Sequence, residues 1–167
     1  DFERAHQLDP KMSFAIDAVG IMQSQQHQSG ESLALFEVQA KQHPDDPLLH
    51  YLLAEQLSES ADEGNGSRLT AAIEAAKRAI TLDPQYQAAH DLLAILYVRA
   101  KQPELAIQQA ELALTQDPYD VVALYQELMA RRSSSDTSQI KALTIALEQA
   151  RKEVGRRQEI ADRYRLQ

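Results

Sequence analysis

Gln87 to Pro118 reads QAAHDLLAILYVRAKQPELAIQQAELALTQDP, and its pattern decides the fold. Leu93, Ala94 and Tyr97 are spaced by one and three residues, which puts them on one face of a helix. A turn follows, and a second helix carries Ala106, Ala110 and Ala113 at steps of four and three. The stretch closes on Asp117-Pro118, and the same dipeptide, Asp83-Pro84, closes the stretch before it, 34 residues earlier. Proline cannot continue a helix, so each dipeptide is a stop signal. A helix–turn–helix unit recurring at that period predicts an all-α repeat.

With Gln87 as the first position of a unit, Leu93 falls at position 7, Ala94 at 8, Tyr97 at 11, Ala106 at 20, Ala113 at 27 and Pro118 at 32. This spacing resembles the tetratricopeptide repeat. His90 stands where that family often has Trp, and Ala110 where it often has Phe or Tyr. The resemblance implies a right-handed superhelical solenoid of antiparallel helix pairs. Small residues at 8 and 20 let the two helices of a unit approach closely, and the one at 27 does the same for the next unit.

Worked outward, the same register divides the chain. Residues 1–12 form the second helix of a truncated unit, with Phe2, Ala5 and Pro10 at positions 24, 27 and 32. The chain thus resembles the C-terminal part of a longer array. Residues 13–46 are a full unit, in which Gln39 replaces the family's Ala at position 27. Residues 47–86 form a unit six residues longer than standard, with the insertion in Ser58 to Arg68, SESADEGNGSR. That segment is too polar to bury itself and is expected as a surface loop. Residues 87–120 are the third unit. From Val121 the pattern degrades: Leu128 and Ile140 fall where small residues belong, and Lys152 replaces the closing proline. Ile140, Leu143, Leu147, Ala150 and Val154 predict one apolar face on a long C-terminal capping helix, as a solenoid end requires. The run Ser133–Ser138 is the expected turn before it, with Asp136 as a cap.

The composition suits such a fold: 44% hydrophobic residues, 5% aromatic and five glycines in 167 residues. No cysteine is present, so disulfide and thiolate chemistry are excluded. The net charge is −8, yet residues 141–167 carry seven Lys and Arg against four Asp and Glu. The acidic body argues against nucleic acid as a partner, and the basic tail reads as the solvated face of the last helix. No apolar run approaches the ~20 residues of a membrane span. The compartment, cytoplasmic or exported, is left open with a lean towards export drawn from the resemblance.

The family's first helices line a concave surface, mainly through positions 2, 5, 9 and 12. Carried over, these are Phe14, Asp17 and Ile21 in the first full unit, with Ser24; Leu48, Tyr51 and Glu55 in the second, with Ser58; Asp91, Ile95 and Val98 in the third, with Ala88 and with Arg99 beside them; and Tyr125, with Val122 and Met129, in the fourth. Exposed apolar and aromatic groups in a groove point to binding. The expected ligand is a protein or peptide segment with apolar anchors and a Lys or Arg. Some relatives grip chaperone C-termini with Lys and Asn at places that here hold Asp17, Ile21, Leu52 and Ala88, so that activity is not expected.

No catalytic residue, cofactor or metal is expected. His50 and His90 share position 4 of successive units, roughly 10 Å apart by helix-packing distance, too far for one ion. Asp62 to Gly66 has calcium-type ligands without the EF-hand spacing. Phosphate loops and nucleophile elbows are missing. The reading is therefore a non-enzymatic interaction module or scaffold. Two alternatives stand beside it: a self-association element using the exposed N-terminal face, and a recruiting domain of a longer enzyme.

Overall fold

The computed structural model describes residues 29–61, 66–135 and 137–165, and these are helices and turns throughout. Seven helices follow one another among the described residues: α1 Ser29–Gln42, α2 Pro47–Glu59, α3 Gly66–Leu82, α4 Gln87–Arg99, α5 Pro103–Gln116, α6 Val121–Ser133 and α7 Ile140–Arg165. The half-unit expected over 1–12 and the next unit's first helix lie outside the described residues. The chain divides into two compact units between Ala89 and His90.

The repeated stop signals have a common physical basis. At each the helix ends and a backbone bond closes a tight turn: Asp46 N–H to His43 O at 3.2 Å, Tyr86 N–H to Asp83 O at 3.1 Å, and Asp120 N–H to Asp117 O at 3.0 Å. In the two Asp-Pro turns the aspartate folds the chain itself. Asp83 Oδ1 accepts from Gln85 N–H at 3.0 Å, and Asp117 Oδ1 accepts from Tyr119 N–H at 2.9 Å. An aspartate two residues past the proline then opens the next helix. Asp46 Oδ1 accepts from Leu48 N–H at 3.0 Å, and Asp120 Oδ1 from Val122 N–H at 2.8 Å and Ala123 N–H at 3.0 Å. Each satisfies amides that a helix start otherwise leaves bare. The α4–α5 turn is built differently, with Lys101 in the left-handed region at φ 57° and Pro103 opening α5.

In the first unit α1 packs on α2 and α2 on α3. Phe36 on α1 sits against Leu49 and Leu52 of α2. Ala54 on α2 and Ala72, Ala76 and Ala79 on α3 are fully buried, as their small size at close-approach positions predicts. Both ends of the stretch Ser58–Arg68 are helical: Ser58 and Glu59 continue α2, and Gly66, Ser67 and Arg68 open α3. Arg68 Nη1 donates to Ser60 O at 2.8 Å, which ties the start of α3 to the end of α2.

In the second unit Ala94, Ala110, Ala113 and Ala123 bring α4, α5 and α6 together. Ala106 is likewise fully buried. Ala106→Leu is expected to overpack this helix pair and cost about 1–3 kcal/mol. Thermal unfolding reads this out, and an unchanged midpoint would count against the close approach. Leu124 and Leu128 of α6 then pack on Leu143, Leu147 and Ala150 of α7.

Val154 departs from the expected apolar face of α7, being 43% exposed. The reason is length. At ~1.5 Å per residue, the 26 residues of α7 extend about twice as far as the 13 of α6 that cover them. Helix continues through Gly155, where an added Cβ would meet nothing. Ser133 still belongs to α6, so the expected turn begins one residue later, and the proposed cap Asp136 lies outside the described residues.

Candidate partner-binding surface

On α2, Leu48, Tyr51 and Glu55 recur at steps of three and four and share one face. Tyr51 and Glu55 are half-buried, and the tyrosine hydroxyl donates to Glu55 Oε1 at 3.0 Å. The Tyr51 ring tilts against that of Tyr86, with centroids 5.3 Å apart. Both rotamers are thus held before any partner arrives. Leu48 lies beside the Phe36 core and is half-buried. Phe14, Asp17 and Ile21 lie outside the described residues.

On α4 the helical spacing puts Asp91, Ile95, Val98 and Arg99 on one face. The first three are half-buried and Arg99 is exposed. On α6 the same spacing aligns Val122, Tyr125 and Met129 on the side away from Leu124 and Leu128. Val122 is 42% and Tyr125 43% exposed, so α7 does not cover them. Asp91 and Asp120 meet where α4 passes the head of α6. Burial first, then the charge and hydrogen bond of Asp120, push the Asp91 carboxyl up to about 7.

Three features do not follow from the sequence reading above. Glu127 and Arg131 occupy positions 7 and 11 of the fourth unit, where Leu93 and Tyr97 stand in the third, and both are buried. Arg131 Nε donates to Glu127 Oε1 at 2.7 Å, and its Nη2 donates to Glu111 Oε1 on α5 at 2.8 Å. The i, i+4 spacing and the register together contain that signal. The Asp91–Asp120 contact spans a whole helix hairpin, and no local pattern reports it. Lastly, a cleft of about 470 Å³ lies between α1 and α3, floored by Ala40, Leu53, Leu57 and Ala75 and edged by Lys41 and Arg78.

The two histidines at position 4 have structural roles. His50 Nε2 donates to Pro44 O at 3.0 Å, and buried His90 donates from Nδ1 to Gln109 Oε1 at 2.8 Å. Among the described residues no three His, Asp or Glu side chains converge as metal ligands would. Nor is any described helix long and apolar enough to cross a membrane.

By sequence, no family model and no curated protein matches the chain. By structure, several repeat proteins do. The crystal structure of MamA aligns over 95% of this chain and 87% of its own, with 15% identity and a TM-score of 0.71. TTC0263, a thermophilic TPR protein in Thermus thermophilus, aligns over 96% and 86%, with 20% identity and a TM-score of 0.70. YrrB, a TPR protein with an unusual peptide-binding site, aligns over 89% and 74%, with 16% identity and a TM-score of 0.70. Identity this low carries the fold and nothing finer. The chain has the all-α helical-repeat fold of the tetratricopeptide type.

Proposed function

We propose that the protein is an interaction module that holds a protein or peptide segment on the faces of its first helices. The observation that carries this reading is the stripe Val122, Tyr125, Met129 on α6. Its first two members are each more than two-fifths exposed, although α6 buries its opposite side against α7. An apolar stripe with a tyrosine, open to water, supports a ligand with apolar anchors. In the first unit the preset Tyr51–Glu55 pair supports the same chemistry, since an ordered phenol and carboxylate lose little freedom on binding. The peptide-binding site named for YrrB makes such a use of the fold reasonable.

The test is a paired capture from cell lysate. The baits are wild type and a Tyr51→Asp, Tyr125→Asp double variant shown to stay helical by circular dichroism. A protein retained by wild type and lost by the variant is the expected outcome. Identical captures would remove these faces from the mechanism and leave self-association, or recruitment within a longer enzyme, as the readings to pursue.

A further inference from the structure

The cleft between α1 and α3 lies on the side of α2 turned away from Tyr51 and takes no part in the binding faces above. Its floor is Ala40, Leu53, Leu57 and Ala75, and its volume of about 470 Å³ is that of a ligand site. The register shows why it stands open. His50 and Leu53 take positions 4 and 7 of the second unit, as His90 and Leu93 do in the third. In the third unit both are buried, and His90 bonds to Gln109. In the second both are half-buried, and His50 turns aside to Pro44 O. Position 11 is Leu57 here and the buried Tyr97 there, so less side chain fills the space. Position 27, where units approach, is Gln39 on α1, whereas the next two units have the fully buried Ala79 and Ala113. A side chain of that size keeps α1 from closing as far onto α2.

The edges of the cleft are charged, and the charges are ordered. α1 and α3 each pack on α2 and run opposite to it, so they run in the same direction. Glu37 and Lys41 stand one turn apart on α1, Glu74 and Arg78 one turn apart on α3, and all four line the cleft. Lys41 is in the last turn of α1. Arg78 Nη2 donates to Pro44 O at 3.1 Å and to Asp45 Oδ1 at 3.3 Å, just past that turn. Both cations therefore stand at the end where α1 stops, and both carboxylates lie a turn before it. Arg78 with Asp45, and Glu74 with Lys77, are surface pairs that exchange readily.

We propose that this cleft is a second docking site, one that receives an amphipathic helix of a partner protein laid antiparallel to α1 and α3. Leu53 and Leu57 give an apolar floor one helical turn long, so the occupant seats two apolar side chains one turn apart. The charged edges fix its direction. A helix is stabilised by acidic residues towards its N-terminus and basic residues towards its C-terminus. Laid antiparallel, its acidic side meets Lys41 and Arg78 and its basic side meets Glu37 and Glu74. Laid parallel, it meets like charges at both ends.

The probe is a capped peptide of about 15 residues, long enough to form helix in water, with two central leucines one turn apart, Glu before them and Lys after them. A second peptide of the same composition has its Glu and Lys exchanged. The first is expected to shift the methyl resonances of Ala40, Leu53, Leu57 and Ala75, and the second to bind about tenfold more weakly. Ala71 lines the cleft yet is exposed, so Ala71→Phe blocks the mouth at a position that tolerates bulk and is expected to abolish the shifts. No shift at the four methyls, or equal binding by Ala71→Phe, would overturn the proposal. So would equal affinity of the two peptides, which would make the cleft a slot for any apolar group. Concentration-dependent shifts of the same methyls without peptide would seat a second copy of the chain there and overturn it as well. Should Ala71→Phe not fold, a nitroxide on the N-terminus of the first peptide decides: broadening strongest at Asp45 supports the antiparallel helix, and broadening strongest at Thr70 overturns it. The faces carrying Tyr51 and Tyr125 enter none of these readouts, so the two sites stand or fall separately.

Discussion

Arg131→Ala is expected to destabilise the fold by about 3–5 kcal/mol, the usual consequence of stripping a buried carboxylate of its cation. The arginine side chain is 5% exposed and that of Glu127 4%, so water cannot replace the lost guanidinium. Burial already pushes the Glu127 carboxyl up, and Arg131 pulls it back. Without the arginine, burial alone would act on Glu127, which would take up a proton more readily or unfold its surroundings. Glu111 matters less, because its side chain is 55% exposed and can turn to solvent. The double variant Glu127→Leu, Arg131→Leu tests the other half of the argument. It restores apolar residues at positions 7 and 11 and is expected to match wild type or exceed it by about 1–4 kcal/mol. Urea unfolding distinguishes the cases. A cost below about 1 kcal/mol for Arg131→Ala would place the pair at a wet surface instead.

Phe36→Ala is expected to cost a similar amount, about 3–5 kcal/mol, by a different route. Phe36 is 1% exposed and fills the space against Leu49 and Leu52. It is the one aromatic residue on α1. Alanine would leave a cavity that two leucines on a rigid helix cannot close. Because this contact fastens α1 to α2, amide protection along α1 should fall first, while α5 and α6 keep theirs. Val38 on the same helix is 49% exposed, and Val38→Ala is expected to change stability by less than about 0.5 kcal/mol. Equal losses from both variants would mean that α1 is not seated through its phenylalanine.

The repeat is legible in the sequence because its determinants are local and categorical. Ala94, Ala106, Ala110 and Ala113 are small where helices must approach, and all are fully buried. Asp83 and Asp117 announce turns through bonds to residues two positions on. What stays hidden depends on reach. Whether Val154 is covered depends on where α6 ends, which periodicity within α7 does not contain. That both ends of the stretch Ser58–Arg68 are helical is hidden because Ser58, Glu59 and Gly66 look like loop residues, yet helix ends accept such residues readily. Positions on the proposed binding faces are legible as helix faces, since Asp91, Ile95 and Val98 follow from spacing alone. That Asp91 meets Asp120 is not, because the contact exists only once the α4–α5–α6 packing is made. The ion pair at Glu127 and Arg131 is visible as an i, i+4 pair. Such pairs are normally surface features, so only the register marks it as buried.

The two halves of α7 answer to different solvents. Up to Ala150 the helix is fixed by leucines, and that attachment grows stronger with salting-out ions. Beyond it, the described contacts are ionic or cation–aromatic. Arg156 and Arg157 clasp Glu153, holding its carboxyl down at about 2, and Arg157 reaches Asp117 and lies 5.9 Å over the Tyr119 ring. The two arginine side chains are more than half exposed, so mobile ions compete with each clasp. Raising ionic strength therefore loosens one end of a continuous helix while tightening the other, and Ala150 is where the two responses meet.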